Sequence, residues 1–236
     1  MKTINIFLFI GTLLLVGQVV SAQQMGFGAK GGLLVGTQQG KRALLSYHGD
    51  LVFEKLGAWQ GDGRPRRLGF VASLGYHRRG ASYNAGSFNN PNRTVISDVF
   101  HNISLAALFK GGYQFNNFAP YYAGGLRLEY TMASQMVNPF DAQGVTPFNV
   151  GLWLGGGIDW EPPKLPFGLF IEISIQPDIT PQIFFQRGTI IEYRDPFNNN
   201  ITYQTLNEDR RVLNLCLELT FGIKFIQRSN QTGTDN

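Results

Sequence analysis

The sequence has little of several things that ordinary soluble domains contain. It has one cysteine, Cys216, so no disulfide can form within a single chain. Charged residues make up 15% of its 236 residues, against roughly 25% in typical soluble domains. The 20 basic and 16 acidic residues leave a formal net charge of +4. This charge is too small and too scattered to indicate a nucleic-acid-binding protein.

Long apolar runs are also missing beyond the N-terminus. The chain opens with Met1 and Lys2, continues with an uncharged and mostly apolar segment over 4–20, and then reaches the small residues Ser21 and Ala22. This order predicts a secretory signal peptide over 1–22, cleaved after Ala22. No later segment contains about 18 consecutive apolar residues, so the sequence excludes a protein that crosses the membrane with helices.

The sequence does contain strict alternation of apolar and polar residues, most clearly near its C-terminus. Over 211–225, every second residue from Leu213 to Phe225 is apolar, and Asn, Cys, Glu, Thr, Gly and Lys stand between them. A period of two predicts a β-strand rather than a helix. At about 3.4 Å per residue, this strand is long enough to cross a bilayer obliquely.

Seven earlier segments alternate in the same way. They are 27–37, 43–56, 68–79, 98–113, 120–131, 148–160 and 167–176. We therefore predict an all-β protein, an eight-stranded antiparallel up-and-down transmembrane β-barrel over 23–226, closed by pairing of the first strand with the last. The polar residues 227–236 are predicted to form a flexible periplasmic tail, and no helix is predicted after the signal peptide.

The predicted connections between strands differ in length. Those after the fourth and sixth strands are tight, the polar segment 57–67 joins the second strand to the third, and 80–94, 132–147 and 177–210 are long. Short periplasmic turns and long outer loops are typical of bacterial outer-membrane barrels. The longest loop also contains two strand-like segments, 190–193 and 201–203, around three asparagines, which predicts a hairpin.

Alternation alone does not say which face meets lipid, because a soluble lipocalin-like barrel alternates with its apolar face inward. Here an aromatic residue recurs on the apolar face at the predicted periplasmic strand ends, as in a girdle at lipid headgroups. The residues of this predicted girdle are Phe27, Phe53, Tyr113, Tyr122, Trp160, Phe167 and Phe225. The polar face is rich in small residues that suit a narrow interior. We therefore predict an outer-membrane location, with outer-membrane lipid around the barrel.

On this prediction, charged residues of the polar face share the barrel interior, or lumen. They are Lys30, Asp50, Glu54, Arg79, Lys110, Arg127, Glu129, Asp159, Glu172, Glu218 and Lys224. Charges buried together must pair, because an unpaired one costs several kcal/mol. An eight-stranded barrel is just wide enough for its side chains, so we predict a plugged lumen without sizeable conductance.

Some small outer-membrane barrels are enzymes, and an outer-membrane lipid-modifying enzyme is the competing function class. His101 lies on the predicted lipid face, but Ser104, three residues on, faces the other way. Ser46, His48 and Asp50 share the lumen face, where we interpret them as interior packing. No His, Cys or Asp cluster has the sequence spacing of a metal site. We therefore predict a non-enzymatic protein with no catalytic, cofactor-binding or metal site.

Four stretches, GFGAKGGLLVG, FVASLGYHRRGA, GLWLGGGIDW and LELTFGIKF, together with the signal peptide, carry a resemblance to a known group. With them, the whole mature chain resembles the small PorT-like outer-membrane β-barrel proteins of Bacteroidetes, within the broader OmpA/OmpX-type barrels. The resemblance implies an integral outer-membrane protein. Some relatives are tied to type IX secretion or gliding, so secretion or envelope proteins are implied as partners of the loops.

Overall fold

The computed structural model describes residues 24–38, 41–61, 64–85, 94–137, 139–162, 164–194 and 201–228. Eight long strands dominate these residues: β1 (Gln24–Gln38), β2 (Arg42–Gly61), β3 (Arg64–Ala85), β4 (Thr94–Tyr113), β5 (Phe118–Gln135), β6 (Phe148–Trp160), β7 (Phe167–Pro177) and β12 (Asn214–Arg228). The shorter elements are α1 (Pro139–Gln143), β8 (Ile183–Phe185), β9 (Ile190–Arg194), β10 (Ile201–Thr205) and β11 (Arg210–Val212). The predicted signal peptide and the predicted tail beyond Arg228 lie outside the described residues.

The eight long strands form one closed antiparallel barrel, in the order β1-β12-β7-β6-β5-β4-β3-β2. Each strand pairs with its neighbours in sequence, and β1 closes the barrel against β12, with Phe27 opposite Phe225 and Leu33 opposite Leu219. The predicted eight-stranded fold and its closing pair are confirmed. Among the described residues, no helix is long and apolar enough to span a membrane.

The apolar face of each alternating strand is the exterior of the barrel, and the more polar face is the interior. On β12, Leu217, Leu219 and Phe221 are exposed on the exterior, whereas Glu218 and Thr220 between them are buried in the interior. The same division holds on the other barrel strands, whose large apolar side chains are exposed outside. A water-soluble barrel has the opposite arrangement, so this exterior is suited to lipid.

The two ends of the barrel differ. At one end, the turn end, β2 and β3 are separated by 62–63, β4 and β5 by 114–117, and β6 and β7 by 161–166. The predicted connection over 57–67 is wrong: β2 and β3 pair as far as Gly61 and Arg64. The segment is rich in glycine and arginine, a composition typical of a turn, so the sequence did not indicate that both strands continue through it.

At the opposite end, the loop end, the described parts of the connection between β7 and β12, 178–194 and 201–213, contain four short strands. β8 pairs with β11, and β9 pairs with β10, so the predicted hairpin is confirmed. Phe100 of β4 lies in a buried cluster with Ile183, Phe185 and Ile191 of this connection. The prediction of no helix is corrected by α1, a single short turn in the preceding loop.

Candidate functional site: the charged interior

The eleven charged residues predicted for the lumen all lie in the interior, and none of them is more than 9% exposed. The barrel strands place them there because their positions fall on the inward-facing side of the alternation. They pair with one another and with polar residues from the turn end and the loop end. The interior is organised in two charged layers with an apolar belt between them.

The turn-end layer is centred on two lysines. Lys224 Nζ lies 2.6 Å from Glu54 Oε1, 2.9 Å from Asp159 Oδ2 and 2.7 Å from Glu161 Oε1. Lys110 Nζ lies 3.1 Å from Glu54 Oε2 and 2.7 Å from Asp159 Oδ2. Each ammonium group can donate three hydrogen bonds, so two lysines bridge three carboxylates.

Glu161 and Arg67 extend this layer to the mouth of the barrel. Arg67 Nη1 donates to Glu161 Oε2 over 2.5 Å, and Gln24 Nε2 donates to the same oxygen over 3.2 Å. Burial acts to raise the pKa of Glu161, but the charges of Lys224 and Arg67 prevail and lower it to about 2. Neither Glu161 nor Arg67 belongs to the predicted network, because both lie where turns were predicted.

The apolar belt surrounds one further ion pair. Lys30 Nζ lies 2.8 Å from Glu172 Oε1, and Tyr121 donates its hydroxyl hydrogen to Glu172 Oε2 over 2.9 Å. The Lys30 ammonium also lies 5.4 Å from the ring centre of Trp153, within the range of a cation–π contact. The belt itself consists of Val52, Val71, Ala106, Leu108, Tyr121, Ala123 and Trp153.

The loop-end layer contains two buried arginines of the barrel strands, Arg79 and Arg127. Arg79 Nε lies 2.8 Å from Glu129 Oε1, and Arg127 Nη2 lies 2.5 Å from Asp178 Oδ1. Gln176 accepts from both arginines and donates to Glu218. Planar guanidinium groups are suited to such multiple contacts with carboxylates and amides.

Two histidines meet one carboxylate beside these arginines. His48 Nδ1 lies 3.0 Å from Asp50 Oδ2, and His77 Nε2 lies 2.9 Å from Asp50 Oδ1. All three residues are buried, and one potential ligand atom from each lies within 4.8 Å of the others. These three residues are therefore a group that could hold a metal ion, although the sequence predicted no metal site. Sequence spacing could not reveal it, because His77 is on β3 and comes opposite His48 only through strand pairing.

Ser46 lies on the same strand face as His48 and Asp50 and is buried. The hydroxyl that contacts His48 is instead that of Thr220, whose Oγ1 lies 3.1 Å from His48 Nε2. This Asp–His–Thr chain resembles a nucleophile relay in its order of contacts, but Thr220 is completely buried. A substrate has no access to that hydroxyl, so the chain of contacts orients the imidazole.

The spaces between these side chains are small. A cavity of about 20 Å³ lies beside Lys30, Glu54 and Glu172, and another of about 10 Å³ lies beside Arg67 and Asp159. Each is comparable to the space that one water molecule needs. At these two positions the described interior is therefore closely packed.

On the exterior, the residues of the predicted girdle lie toward the turn end. Phe53 and Phe225 each pair with Phe27, and Phe225 also pairs with Phe167. Tyr113, Tyr122 and Trp160 lie at the same end of β4, β5 and β6. A second exterior aromatic group, absent from the predictions, lies toward the loop end and consists of Tyr47, Tyr76, Tyr130 and Phe148.

His101 joins this second aromatic group. Its Nδ1 lies 2.5 Å from the hydroxyl oxygen of Tyr76, and the Tyr76 ring in turn lies 6.1 Å from that of Tyr47. Both residues of the hydrogen bond are half-buried on the outer surface. Ser104 is buried in the interior, so the structure does not bring it to His101.

Comparison with known proteins gives similarity of structure without similarity of sequence. No protein-family model matches the chain, and no curated protein matches it in sequence. The outer membrane protease OmpT from Escherichia coli is 10% identical with a TM-score of 0.41, over 88% of this chain and 98% of that one. The outer membrane enzyme PagL is 10% identical with a TM-score of 0.41, over 84% and 98%. Ail of Yersinia pestis, in complex with the heparin analogue sucrose octasulfate, is 12% identical with a TM-score of 0.40, over 86% and 98%.

Two of these three proteins are enzymes by their descriptions. The prediction that the chain is non-enzymatic is corrected by this finding, which assigns no activity to the chain itself. That prediction was based on the absence of a recognisable catalytic motif. A fold of this kind gives no reason to exclude catalysis.

Proposed function

We propose that the chain is an integral outer-membrane barrel with a plugged lumen that acts through its loop end. The observation that carries this proposal is the interior itself, where the charged side chains pair across the barrel axis. Moving an ion through this interior would require breaking buried ion pairs, and each break costs several kcal/mol. The barrel then serves as a membrane anchor and scaffold for the loop end.

The exterior supports the membrane placement. On β6, Trp160 and Phe148 mark the two aromatic groups and stand at opposite ends of a 13-residue strand. At about 3.3 Å per residue and a tilt of about 45°, they lie about 28 Å apart along the barrel axis. This height matches the apolar thickness of a bilayer. The short connections support a periplasmic turn end and an external loop end.

The β9–β10 hairpin at the loop end is the best candidate for contact with an external partner. Ile191 points into the buried cluster with Phe185, whereas Ile190, Ile201 and Tyr203 are exposed. Exposed apolar side chains outside the bilayer are suited to protein contacts. The hairpin thus has one face that fixes it to the barrel and another that is open.

Planar-bilayer recording tests the plugged lumen. The purified full-length barrel should insert without discrete current steps under conditions in which a general porin conducts. Large, stable single-channel steps would overturn the proposal. Replacing both loop-end arginines, with Arg79→Ala and Arg127→Ala, should make the interior leak under the same insertion conditions, whereas the wild-type protein should stay closed.

A lipid-modifying activity is a second candidate, favoured by the His101–Tyr76 hydrogen bond. This pair lies on the outer surface at the loop-end aromatic group, where lipid headgroups would meet an imidazole able to act as a general base. Activity on purified lipopolysaccharide that disappears in His101→Ala would support it. Retention of that activity in His101→Ala would remove this site from consideration.

The PorT-like resemblance leads to a further proposal, that the loop end contacts secretion or other envelope proteins. The exposed hairpin face supplies the surface for such contacts. Detergent extraction of native membranes followed by capture of the tagged barrel should co-purify the same partners repeatedly. Substituting Tyr203→Ser and Ile201→Ser on the exposed face should reduce their recovery, whereas the barrel itself should remain folded.

A further inference from the structure

The two charged layers of the interior differ in their balance of formal charge. At the turn end, three carboxylates (Glu54, Asp159 and Glu161) face three basic groups (Arg67, Lys110 and Lys224). Lys30 and Glu172 in the apolar belt also balance each other. These two parts of the described interior are therefore neutral when all their groups are ionised.

The loop-end layer is not balanced in this way. Its four carboxylates are Asp50, Glu129, Asp178 and Glu218, and its permanent cations are Arg79 and Arg127. Among the described residues of the layer, two negative charges therefore lack a fixed counter-charge. Uncompensated charge is costly in a buried setting, so a group that adds positive charge beside these carboxylates would stabilise the layer.

The histidine cluster lies at the place where those charges are missing. His48 and His77 each approach one oxygen of Asp50, at 3.0 and 2.9 Å. Two imidazole nitrogens and a carboxylate oxygen are typical zinc ligands. We propose that His48, Asp50 and His77 bind one divalent transition-metal ion, of which Zn²⁺ is the best match, and that this ion supplies the missing charge.

The surroundings of the histidines fit this role. A histidine that binds a metal through one nitrogen usually donates from the other to an oxygen, which fixes its orientation. His48 Nε2 lies 3.1 Å from Thr220 Oγ1, and His77 Nδ1 lies 3.3 Å from Glu218 Oε1. Arg79 Nη2 lies 3.2 Å from His77 Nδ1, and this contact is not a hydrogen bond when Nδ1 carries a proton, because a guanidinium nitrogen only donates. With His77 Nε2 on the metal, the Nδ1 proton points to Glu218.

The competing source of the two charges is a proton on each histidine. Both sources satisfy the same charge balance, but they respond oppositely to pH, because a metal requires neutral imidazole and competes with protons. Metal binding by His48, Asp50 and His77 in the barrel interior does not depend on what the loop end binds. Failure of the proposed loop-end function would leave it unaffected.

Zinc binding can be measured on the full-length barrel in detergent. We expect protein refolded with Zn²⁺ and passed through a chelating column at about pH 7.5 to keep one Zn²⁺ per chain by mass spectrometry. His77→Gln and His48→Gln should each weaken Zn²⁺ binding by more than about tenfold. His101→Gln is the matched control, because it removes the third histidine of the sequence, which lies on the outer surface.

A spectroscopic readout on the wild-type barrel keeps the test decisive if the histidine variants fail to fold. Co²⁺ substituted at the site should give visible absorption bands that Zn²⁺ removes on competition. Wild-type barrel that retains neither ion would overturn the proposal. So would loss of metal in His101→Gln to the same extent as in His77→Gln. Wild-type barrel whose stability at about pH 7.5 does not change with added Zn²⁺, and which becomes more stable only as both histidines take up protons, would assign the two charges to protons and equally overturn it.

Discussion

Lys224 Nζ lies 2.6 Å from Glu54 Oε1, although 170 positions separate the two residues in sequence. Lys224 is on β12 and Glu54 is on β2, and β1 lies between these strands in the barrel. Their side chains meet across β1 because that strand has glycine at 26 and 28. A Cβ at Gly26 would lie 2.7 Å from Glu54 Cγ, and one at Gly28 would lie 2.9 Å from Lys224 Cβ.

Removing the lysine from this contact should destabilise the barrel strongly. Lys224→Met removes a cation that contacts the carboxylates of Glu54, Asp159 and Glu161. Breaking a buried ion pair costs about 3–5 kcal/mol. The free energy of unfolding should fall by that amount in urea titrations in detergent. Lys164→Met, an exposed residue in the turn between β6 and β7, should change it by less than about 0.5 kcal/mol. Equal stability of the two variants would contradict the network.

The glycines of β1 should also be sensitive to a single methyl group. A Cβ at Gly28 would lie 2.1 Å from the backbone oxygen of Ile223 on β12. The backbone of a closed barrel cannot move away easily, so Gly28→Ala should cost about 1–3 kcal/mol or more.

Gly49→Ala is the matched control for this glycine, because the nearest atom to its Cβ would be 3.9 Å away. Folding is measured by the difference in gel mobility between heated and unheated samples. The heating temperature at which the folded band disappears should fall for Gly28→Ala and stay near the wild-type value for Gly49→Ala. The same temperature for both variants would contradict the close packing of β1 on β12.

Acid should weaken the turn-end layer through Glu161. Its pKa is lowered from 4.5 to about 2, so its ionised form stabilises the fold above the unfolded pKa. That contribution, on the order of 3 kcal/mol, is lost as the pH falls from about 4.5 toward 2. Wild-type stability should therefore decline over this range more steeply than that of Glu161→Gln. Glu208→Gln, an exposed loop residue, should retain the wild-type slope, and parallel curves for wild type and Glu161→Gln would contradict the assignment.

The buried cluster around Phe185 at the loop end should lose its structure without unfolding of the barrel. Phe185→Ala removes a buried ring from the contact with Phe100 and Ile183, a change that costs about 3–5 kcal/mol in a packed core. The barrel closes through its own eight strands without β8–β11, so the loss should appear as faster proteolysis of 178–213 with an intact barrel band. Ile190→Ala, at an exposed position nearby, should leave the cleavage rate unchanged. Unfolding of the whole barrel in Phe185→Ala would show that the two parts fold as one unit.

Period-two alternation was enough to predict the eight barrel strands, because each strand has only two faces and each face has one environment. Leu217 and Glu218 are neighbours in sequence, and the structure puts the first outside and the second inside. The hairpin of the longest loop was also predictable, since its turn is marked by consecutive asparagines. The strand ends were harder to predict, because β2 and β3 continue through a polar segment whose composition is that of a turn.

The sequence alone could not predict which distant residues pair with each other. The charge pattern indicated that Arg79 and Glu129 share the interior, but their 2.8 Å contact depends on the register between strands. His77 meets Asp50 for the same reason. Arg67 and Glu161 were missed because both stand at strand ends, where no periodicity marks the inward side.

The sequence by itself determined that this chain forms a closed barrel with an apolar exterior and a charged interior, because alternation is a local property that each strand carries alone. Only the tertiary structure decided which charges meet. Eight staggered strands set the height of every inward side chain, and burial makes each pairing depend on ångström-scale distances. The neutral turn-end layer, the loop-end layer with two charges unmatched and the histidines beside Asp50 all follow from that stagger.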